Sequence, residues 1–315
     1  MRSVLVTGDF DIPQGTFPPD IKLIHVRSPI NEHPIREVLP LVQGYIVGGP
    51  EYVSSGLLSL ATELKHIVVM GTGTASFVDI EAARQRGVRV TNTPGLNVKA
   101  VVEFTLAMMT VCAAGVFESI ECVKEGIRWP QTVRPSLRNQ RVGIIGMGNI
   151  GHEVAIALSA KGCRQLQYWS RERKHDVERL LGLTYSAVEE IVRTVDYLFV
   201  HLAGCDDTYG LIDNDMLSNS KPGLSIFNLS SPRIICADAL RGHLLSKPNA
   251  FCFIDGYYNE WARNTGALGD IYHLLTLPVK NLVVTSHLAA QQEDALRAIL
   301  LSAVAAITTR NNFGS

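Results

Sequence analysis

The sequence predicts an α/β fold with two parallel-sheet domains, the second of them doubly wound and built to hold a nucleotide. Three observations predict it. Short runs rich in Val, Ile and Leu alternate with helical patterns over the first hundred residues, and again from residue 142 onward. An apolar segment, 100–117, separates the two alternating regions. Finally, Gly146-x-Gly148-x-x-Gly151 lies directly between an apolar strand pattern at 142–145 and a helical pattern at 152–159. A chain of 315 residues has room for two such domains, each with its own core.

In the first region, 3–7, 22–26, 44–47, 67–70 and 88–92 read as strands, and 34–42, 54–60 and 78–85 as helices. This alternation is the signature of a parallel sheet with crossover helices. Segment 100–117 is apolar on nearly every face, which predicts a helix buried between domains or against a second subunit. A loop with Trp129, Pro130 and Pro135 then leads into the strand before the glycines. Beyond them, strands are expected at 165–169, 197–201, 225–229, 250–254 and 282–285. Helices are expected at 177–181, 187–193, 213–218 and 237–245. A last helical pattern, 293–309, is able to complete either domain.

The glycine triplet carries the first chemistry. Gly146 makes the tight turn, Gly148 lets the backbone approach a pyrophosphate, and Gly151 lets the helix pack against the strand. With Asn149 and Ile150 they open a helix whose N–H groups face the phosphates. About twenty residues on, an acidic residue would favour NAD by bonding the ribose 2′-hydroxyl. Here that position holds Ser170, followed by Arg171, Glu172, Arg173 and Lys174. Ser-Arg suits a 2′-phosphate, so NADP(H) is favoured and NAD(H) stays open; the plain alternative is a solvated, charged loop.

Composition excludes other classes. A formal net charge of −1 leaves no basic footprint for nucleic acid. No apolar run is long enough for a membrane span, and the N-terminus begins as a strand pattern instead of a leader, so a cytoplasmic location is expected. The six cysteines are scattered without a Cys-x-x-Cys pair, which points to buried, reduced thiols and not to a metal site or disulfide framework.

Four further stretches, together with the glycine triplet, make the chain resemble the D-isomer-specific 2-hydroxyacid dehydrogenases. Asn92-Thr-Pro-Gly running on to Val101-Val-Glu103 is similar to the family's Asn-x-Pro-Gly segment and following helix. Val200-His-Leu-Ala with Thr208 resembles its His-x-Pro segment and Thr. Asp255 with Glu260 resembles Asp-Val-Phe-x-x-Glu, and Ser286-His287-Leu-Ala resembles Pro-His-x-x. The resemblance implies a flavodoxin-like substrate domain, 1–98 plus 290–315, and a Rossmann-like NAD(P)-binding domain, 99–289. It further implies an active cleft between them and a homodimer. His287 would be the general acid/base, Glu260 its partner, and a small 2-oxo acid or related ketone the substrate. Leu202, Thr208, Leu229 and Ser230 would line the cofactor, with His287 close to the nicotinamide, and Asp255 would sit near the nicotinamide ribose or the His287–Glu260 pair. Gly71, Thr72, Gly73 and Thr74 resemble the family loop whose N–H groups receive the substrate carboxylate. A turn capped by Ser76 is the alternative reading of that loop.

One departure stands out. Where the family has Arg-Gly after Asn-x-Ser, this chain has Ser231-Pro232. A neutral serine cannot replace a bidentate guanidinium on a carboxylate. Three explanations compete. If the segment is extended, Arg233 points the same way as Ser231 and substitutes for the lost cation; the plain alternative for Arg233 is a surface cation. Alternatively the substrate lacks a carboxylate and meets Ser231 through a hydroxyl or amide, or the protein binds NADP(H) as a non-catalytic sensor or regulator.

Overall fold

The computed structural model describes residues 2–27, 32–126, 136–258 and 269–309. Glu260 and the 129–135 loop lie outside the described residues. Among those described, two compact units separate: one holds residues up to 97 together with those from 292 on, the other the residues between 98 and 291.

In the first unit, β1 (Arg2–Thr7), β2 (Ile21–Val26), α1 (Glu32–Val38), β3 (Gly44–Val47), α2 (Ser55–Leu58), β4 (His66–Val69), α3 (Ile80–Gln85) and β5 (Arg89–Asn92) follow one another. The strands form a parallel sheet in the order β2-β1-β3-β4-β5, the flavodoxin-like arrangement. Successive side chains leave a strand on opposite faces, so each face has its own core. Leu5, Tyr45, Ile67 and Val69 pack with Ile35, Leu39 and Leu57 on one side. Val4, Val6, Ile46 and Val68 on the other side meet Leu300, Ala303, Val304 and Ile307 of the last helix. That helix sits so close that a Cβ at Gly44 would lie 2.8 Å from the Ile307 Cδ1. The closing helical pattern therefore completes the first unit.

The second unit begins with α4 (Val98–Ala113) and α5 (Val116–Lys124). It continues through β6 (Arg141–Ile145), α6 (Asn149–Ala160), β7 (Gln165–Trp169), α7 (His175–Leu181), β8 (Thr184–Tyr185), α8 (Val188–Thr194) and β9 (Tyr197–Val200). It ends with α9 (Asn214–Ser218), β10 (Ser225–Asn228), α10 (Ala237–Ser246), β11 (Phe251–Asp255) and β12 (Leu282–Thr285); α11 (Glu293–Thr308) is the helix of the first unit. All pairings are parallel, in the order β12-β11-β10-β9-β6-β7-β8. Strand order reverses between β6 and β9, which is the topological switch point of a doubly wound sheet. Fully buried Phe199, Phe227 and Phe253 stack across neighbouring strands, with Phe199 and Phe227 centroids 5.1 Å apart. Each such side chain contributes about 1.5–3 kcal/mol by burial.

Several expectations are corrected. The helix expected at 100–117 is two helices, bent by 51° around Gly115, which takes a left-handed φ of 72°. Only Ala100, Val101, Thr105 and Met109 of α4 are buried, and no residue of α5 is. The chain thus buries one stripe of this segment and leaves Val116, Ile120 and Val123 exposed. Helix 34–42 gives way after Val38 to a 3-10 turn, Leu39–Leu41, because Pro40 cannot donate to an α-helical ladder. The two-residue edge strand β8 is too short for a periodic signal. Of the cysteines, Cys163 and Cys252 are buried, whereas Cys205 and Cys236 are exposed. Among the described residues no single helix is long and apolar enough to cross a membrane.

Candidate active site

The register of the second sheet gathers most of the expected site residues on one edge. Trp169, Ile145, Val200, Asn228, Ile254 and Val284 form one row across the strands. The residues that follow them, at the carboxyl end of the sheet, are Ser170, Gly146, His201, Leu229, Asp255 and Thr285. Ligands of open α/β sheets bind at this edge, beside the switch point.

The glycine turn has the stereochemistry its motif demands. Gly146 has φ 101°, and a Cβ there would lie 2.3 Å from the His201 carbonyl. A Cβ at Gly151 would lie 2.0 Å from the Gly146 carbonyl, so any side chain would push the helix off the strand. Gly148, the N-cap of α6, has no atom of the described residues within 4 Å of a Cβ position. Asn149 and Ile150 form the first turn of α6, which starts three residues earlier than the sequence pattern suggested. The cradle fits a dinucleotide pyrophosphate: the backbone is bare where a phosphate must approach, and first-turn N–H groups are there to meet it.

Beyond β7 the cations sort themselves. Arg173 makes a two-pronged pair with Glu178, at 2.8 and 2.9 Å, and lies over the Tyr185 ring. Arg173, then the Tyr168 hydroxyl, hold the Glu178 carboxyl down to about 2. Lys174 pairs with Glu172 at 3.4 Å. Arg171 is exposed and has no ion-pair partner among the described residues. Ser170 is buried, and its hydroxyl donates to the Glu172 carbonyl at 2.6 Å. The serine therefore shapes the loop with its proton, and only its lone pairs remain for another donor.

Hydrogen bonds fold the neighbouring loops. Thr208 donates within its own loop to the Ala203 carbonyl (2.8 Å) and accepts from the Cys205 N–H (2.9 Å), just beyond Leu202. Asn228, which sequence reasoning left without a role, accepts from the Ser230 N–H and donates to the Ser231 carbonyl. Ser230 also donates to the Val200 carbonyl at 3.0 Å, tying the β10 loop to β9, while Leu229 packs into the core. Near them His201 has both ring nitrogens buried without a hydrogen-bond partner among the described residues, and burial lowers its pKa to about 4.

His287 is exposed, two residues past the end of β12, in a left-handed conformation with φ 55°. A non-glycine residue holds such a φ only when its surroundings enforce it. Asp255 enforces it here. One carboxylate oxygen accepts from the Thr285 hydroxyl (2.6 Å) and the Leu288 N–H (2.8 Å), the other from the Ala289 N–H (2.8 Å). Asp255, expected near the nicotinamide ribose or the histidine pair, holds the His287 loop through these bonds. Thr285 is the partner that sequence reasoning missed, although its place opposite Asp255 follows from strand pairing.

In the first unit, Gly71 (φ 131°) follows Met70 at the carboxyl end of β4. Its N–H is already donated to Thr93 at 2.9 Å, which removes it as a free donor. The N–H groups of Thr72, Gly73 and Thr74 have no partner among the described residues. Ser76 caps nothing; α3 is capped by Asp79, which accepts from the Ala82 N–H at 2.9 Å.

The segment after Ser231 corrects the geometry assumed for Arg233. Pro232–Ile234 is a 3-10 turn, not an extended run, so residues two apart diverge by two-thirds of a turn. Arg233 is exposed, and its guanidinium carbon lies 3.8 Å from the centroid of the Tyr209 ring.

Comparison with known proteins agrees with this geometry. Residues 106–289 match the family model of the D-isomer specific 2-hydroxyacid dehydrogenase NAD binding domain. A glyoxylate reductase of Aeropyrum pernix is 32% identical over 260 residues, covering 80% of this chain and 75% of that one. A hydroxypyruvate reductase of Thermotoga maritima is 25% identical, covering 84% and 83%. In fold the chain is similar to the crystal structure of D-lactate dehydrogenase from Aquifex aeolicus complexed with NAD and lactic acid. The TM-score is 0.81 at 21% identity, over 96% of this chain and 94% of that one. With its nucleotide cradle, its two parallel sheets and a family match over more than half its length, the chain belongs to the D-isomer specific 2-hydroxyacid dehydrogenases, oxidoreductases that use a nicotinamide cofactor on a small-molecule substrate.

Proposed function

We propose that the protein reduces a short 2-oxo acid, or a closely related ketone, to its D-2-hydroxy product with NADPH. The observation that carries this reading is the clamp from Asp255 to the His287 loop, on the same sheet edge as the glycine cradle. When bound, the reduced nicotinamide supplies a hydride to the carbonyl carbon. His287 delivers the proton that turns the carbonyl oxygen into a hydroxyl, since an imidazole exchanges protons near neutral pH, and Glu260 is its carboxylate partner. Thr72, Gly73 and Thr74 offer N–H groups to the substrate carboxylate. Leu202, Thr208, Leu229 and Ser230 form the loops along the cofactor. Arg171 supports the preference for NADPH: it is a cation beside Ser170 with no ion-pair partner among the described residues, available to a 2′-phosphate.

Ser231 in place of the family's arginine favours a second reading, a sensor that binds NADP(H) without turnover. One experiment separates the two: oxidation of NADPH and of NADH against a panel of 2-oxo acids and uncharged ketones. Turnover is expected with at least one short 2-oxo acid, falling about 10²- to 10⁴-fold in His287→Ala. Arg171→Ala should weaken NADPH and leave NADH binding unchanged. Tight NADPH binding with no turnover across the panel would favour the sensor. Tighter binding of NADH than of NADPH by the unaltered protein would defeat the cofactor assignment.

A further inference from the structure

The loop after β7 carries three cations, and the fold treats them unequally. Arg171 is exposed and has no ion-pair partner among the described residues. Lys174 meets Glu172 at 3.4 Å on the surface, where such a pair holds only weakly. Arg173 is committed far more firmly. Its Nε and Nη2 donate to the two carboxylate oxygens of Glu178, at 2.8 and 2.9 Å, in the fork geometry that makes an arginine–carboxylate pair strong. Glu178 lies outside the loop, on α7, and its side chain is only 13% exposed. The Tyr168 hydroxyl donates to it at 2.7 Å and accepts from the Lys174 N–H at 2.7 Å, while His175 Nδ1 stands 3.8 Å from its second oxygen. One carboxylate thus gathers the arginine, the tyrosine of β7 and, through that tyrosine, the backbone of the loop.

Strand order gives the direction in which Arg173 is drawn. β7 lies between β8 and β6, and it is β6 that leads into the glycine cradle. The Arg173 guanidinium carbon lies 5.5 Å from the centroid of the Tyr185 ring, at the end of β8. The Tyr185 hydroxyl in turn donates to the Ser170 carbonyl at 3.3 Å. Arg173 is therefore held against a residue of β8, on the far side of β7 from the cradle.

A phosphate is bound by cations whose N–H groups are free to reach it. An arginine already forked onto a carboxylate has its charge cancelled and two of its N–H groups in use. Resting on the NADPH reading above, we propose that Glu178 is a specificity-determining residue, which limits affinity for the cofactor 2′-phosphate by holding Arg173 to the far side of β7 and cancelling its charge. The loop sequence then overstates the site, because one of its cations is withdrawn by a residue of the following helix. How strongly the protein prefers NADPH over NADH is set from α7 as well as from the loop itself.

The test measures binding of adenosine 2′,5′-bisphosphate and of 5′-AMP to the full-length protein by calorimetry. The ratio of the two affinities reports the 2′-phosphate alone. Glu178→Gln keeps the shape of the side chain but removes its charge, and should raise the ratio about 3- to 10-fold, the size of one added charged contact at an exposed site. A purely structural role for Glu178 would not raise it. Glu178→Ala should show the same gain, so that the test does not depend on one variant folding, and melting temperatures identify any that does not. Glu178→Asp, which keeps the charge, should bind both nucleotides like the unaltered protein. The gain should vanish when Arg173→Ala is added to Glu178→Gln, because the released cation is then gone. A ratio unchanged or lowered in folded Glu178→Gln and Glu178→Ala, or a gain that survives the loss of Arg173, overturns the proposal. A ratio near one in the unaltered protein would sink the NADPH reading instead, and a gain on releasing Arg173 would still uphold this inference.

Discussion

His287 and Asp255 show how one side chain sets the geometry of another. The left-handed φ of His287 is maintained by three hydrogen bonds to a carboxylate that is itself almost entirely buried. Removing a charged acceptor strands two N–H groups and a hydroxyl, each charge-assisted bond contributing about 1.5–3 kcal/mol. Asp255→Asn presents an amide N–H₂ where an oxygen accepted, and should let the loop relax. The expected result is a fall in kcat of about 10- to 100-fold with a smaller change in KM, together with a lower melting temperature. Steady-state kinetics and thermal unfolding check it, and unchanged kcat would show that Asp255 does not position the histidine. The family resemblance marked His287 and Asp255 by their positions in its motifs. Their bonding was not legible, because the partners lie 30 to 34 residues apart and meet only when β11 pairs with β12.

Helices α4 and α5 illustrate what an apolar pattern does and does not say. The pattern predicted burial on every side, but within the chain only one stripe of α4 is covered. On α5, Val116, Ile120 and Val123 recur at helical spacing and are 41%, 42% and 67% exposed. Ile120→Asp with Val123→Asp should therefore leave the melting temperature little changed, because neither side chain is buried within the described residues. A fall of many degrees in thermal unfolding would show that this face is packed. The bend at Gly115 was missed for a local reason: glycine is common inside apolar stretches, and only its positive φ marks it as the break. The 3-10 turn at Pro232–Ile234 escaped notice in the same way, since Pro fits an extended run and a tight turn equally well.

Stability of the folded chain should depend on pH through its buried histidines. Burial lowers the pKa values of His66, His201 and His243 from 6.5 to about 4, with Arg89 adding to the effect at His66 and Lys247 at His243. Each folded-state value lies below the unfolded one, so the unfolded chain takes up protons first as pH falls. The stabilisation is complete above about pH 6.5 and is lost as pH drops toward 4, with uptake of about three protons on unfolding. Burial raises the Glu51 carboxyl, with the opposite sign: its contribution is present at low pH and is lost as pH rises through its elevated value. One carboxyl does not offset three imidazoles, so melting temperature should decline from pH 6.5 to 4. The decline should be shallower in His243→Gln. A flat profile over that window would contradict the assignment.

The glycine cradle, the alternation of strands and helices, and the Ser170-Arg171 position were all legible in the chain. They rest on backbone chemistry within a few residues: bare turns, period-two and helical patterns, and a fixed offset from the glycines. Folding alone decided that Ser170 turns its hydroxyl into its own loop, that Arg173 and Lys174 pair with Glu178 and Glu172, and that α11 completes the first unit. It likewise decided that Asp255 clamps the His287 loop and that Arg233 rests on Tyr209. These outcomes are pairings between segments far apart in the chain. Which donor meets which acceptor is set by strand order, register and close packing, none of which a local pattern of residues encodes.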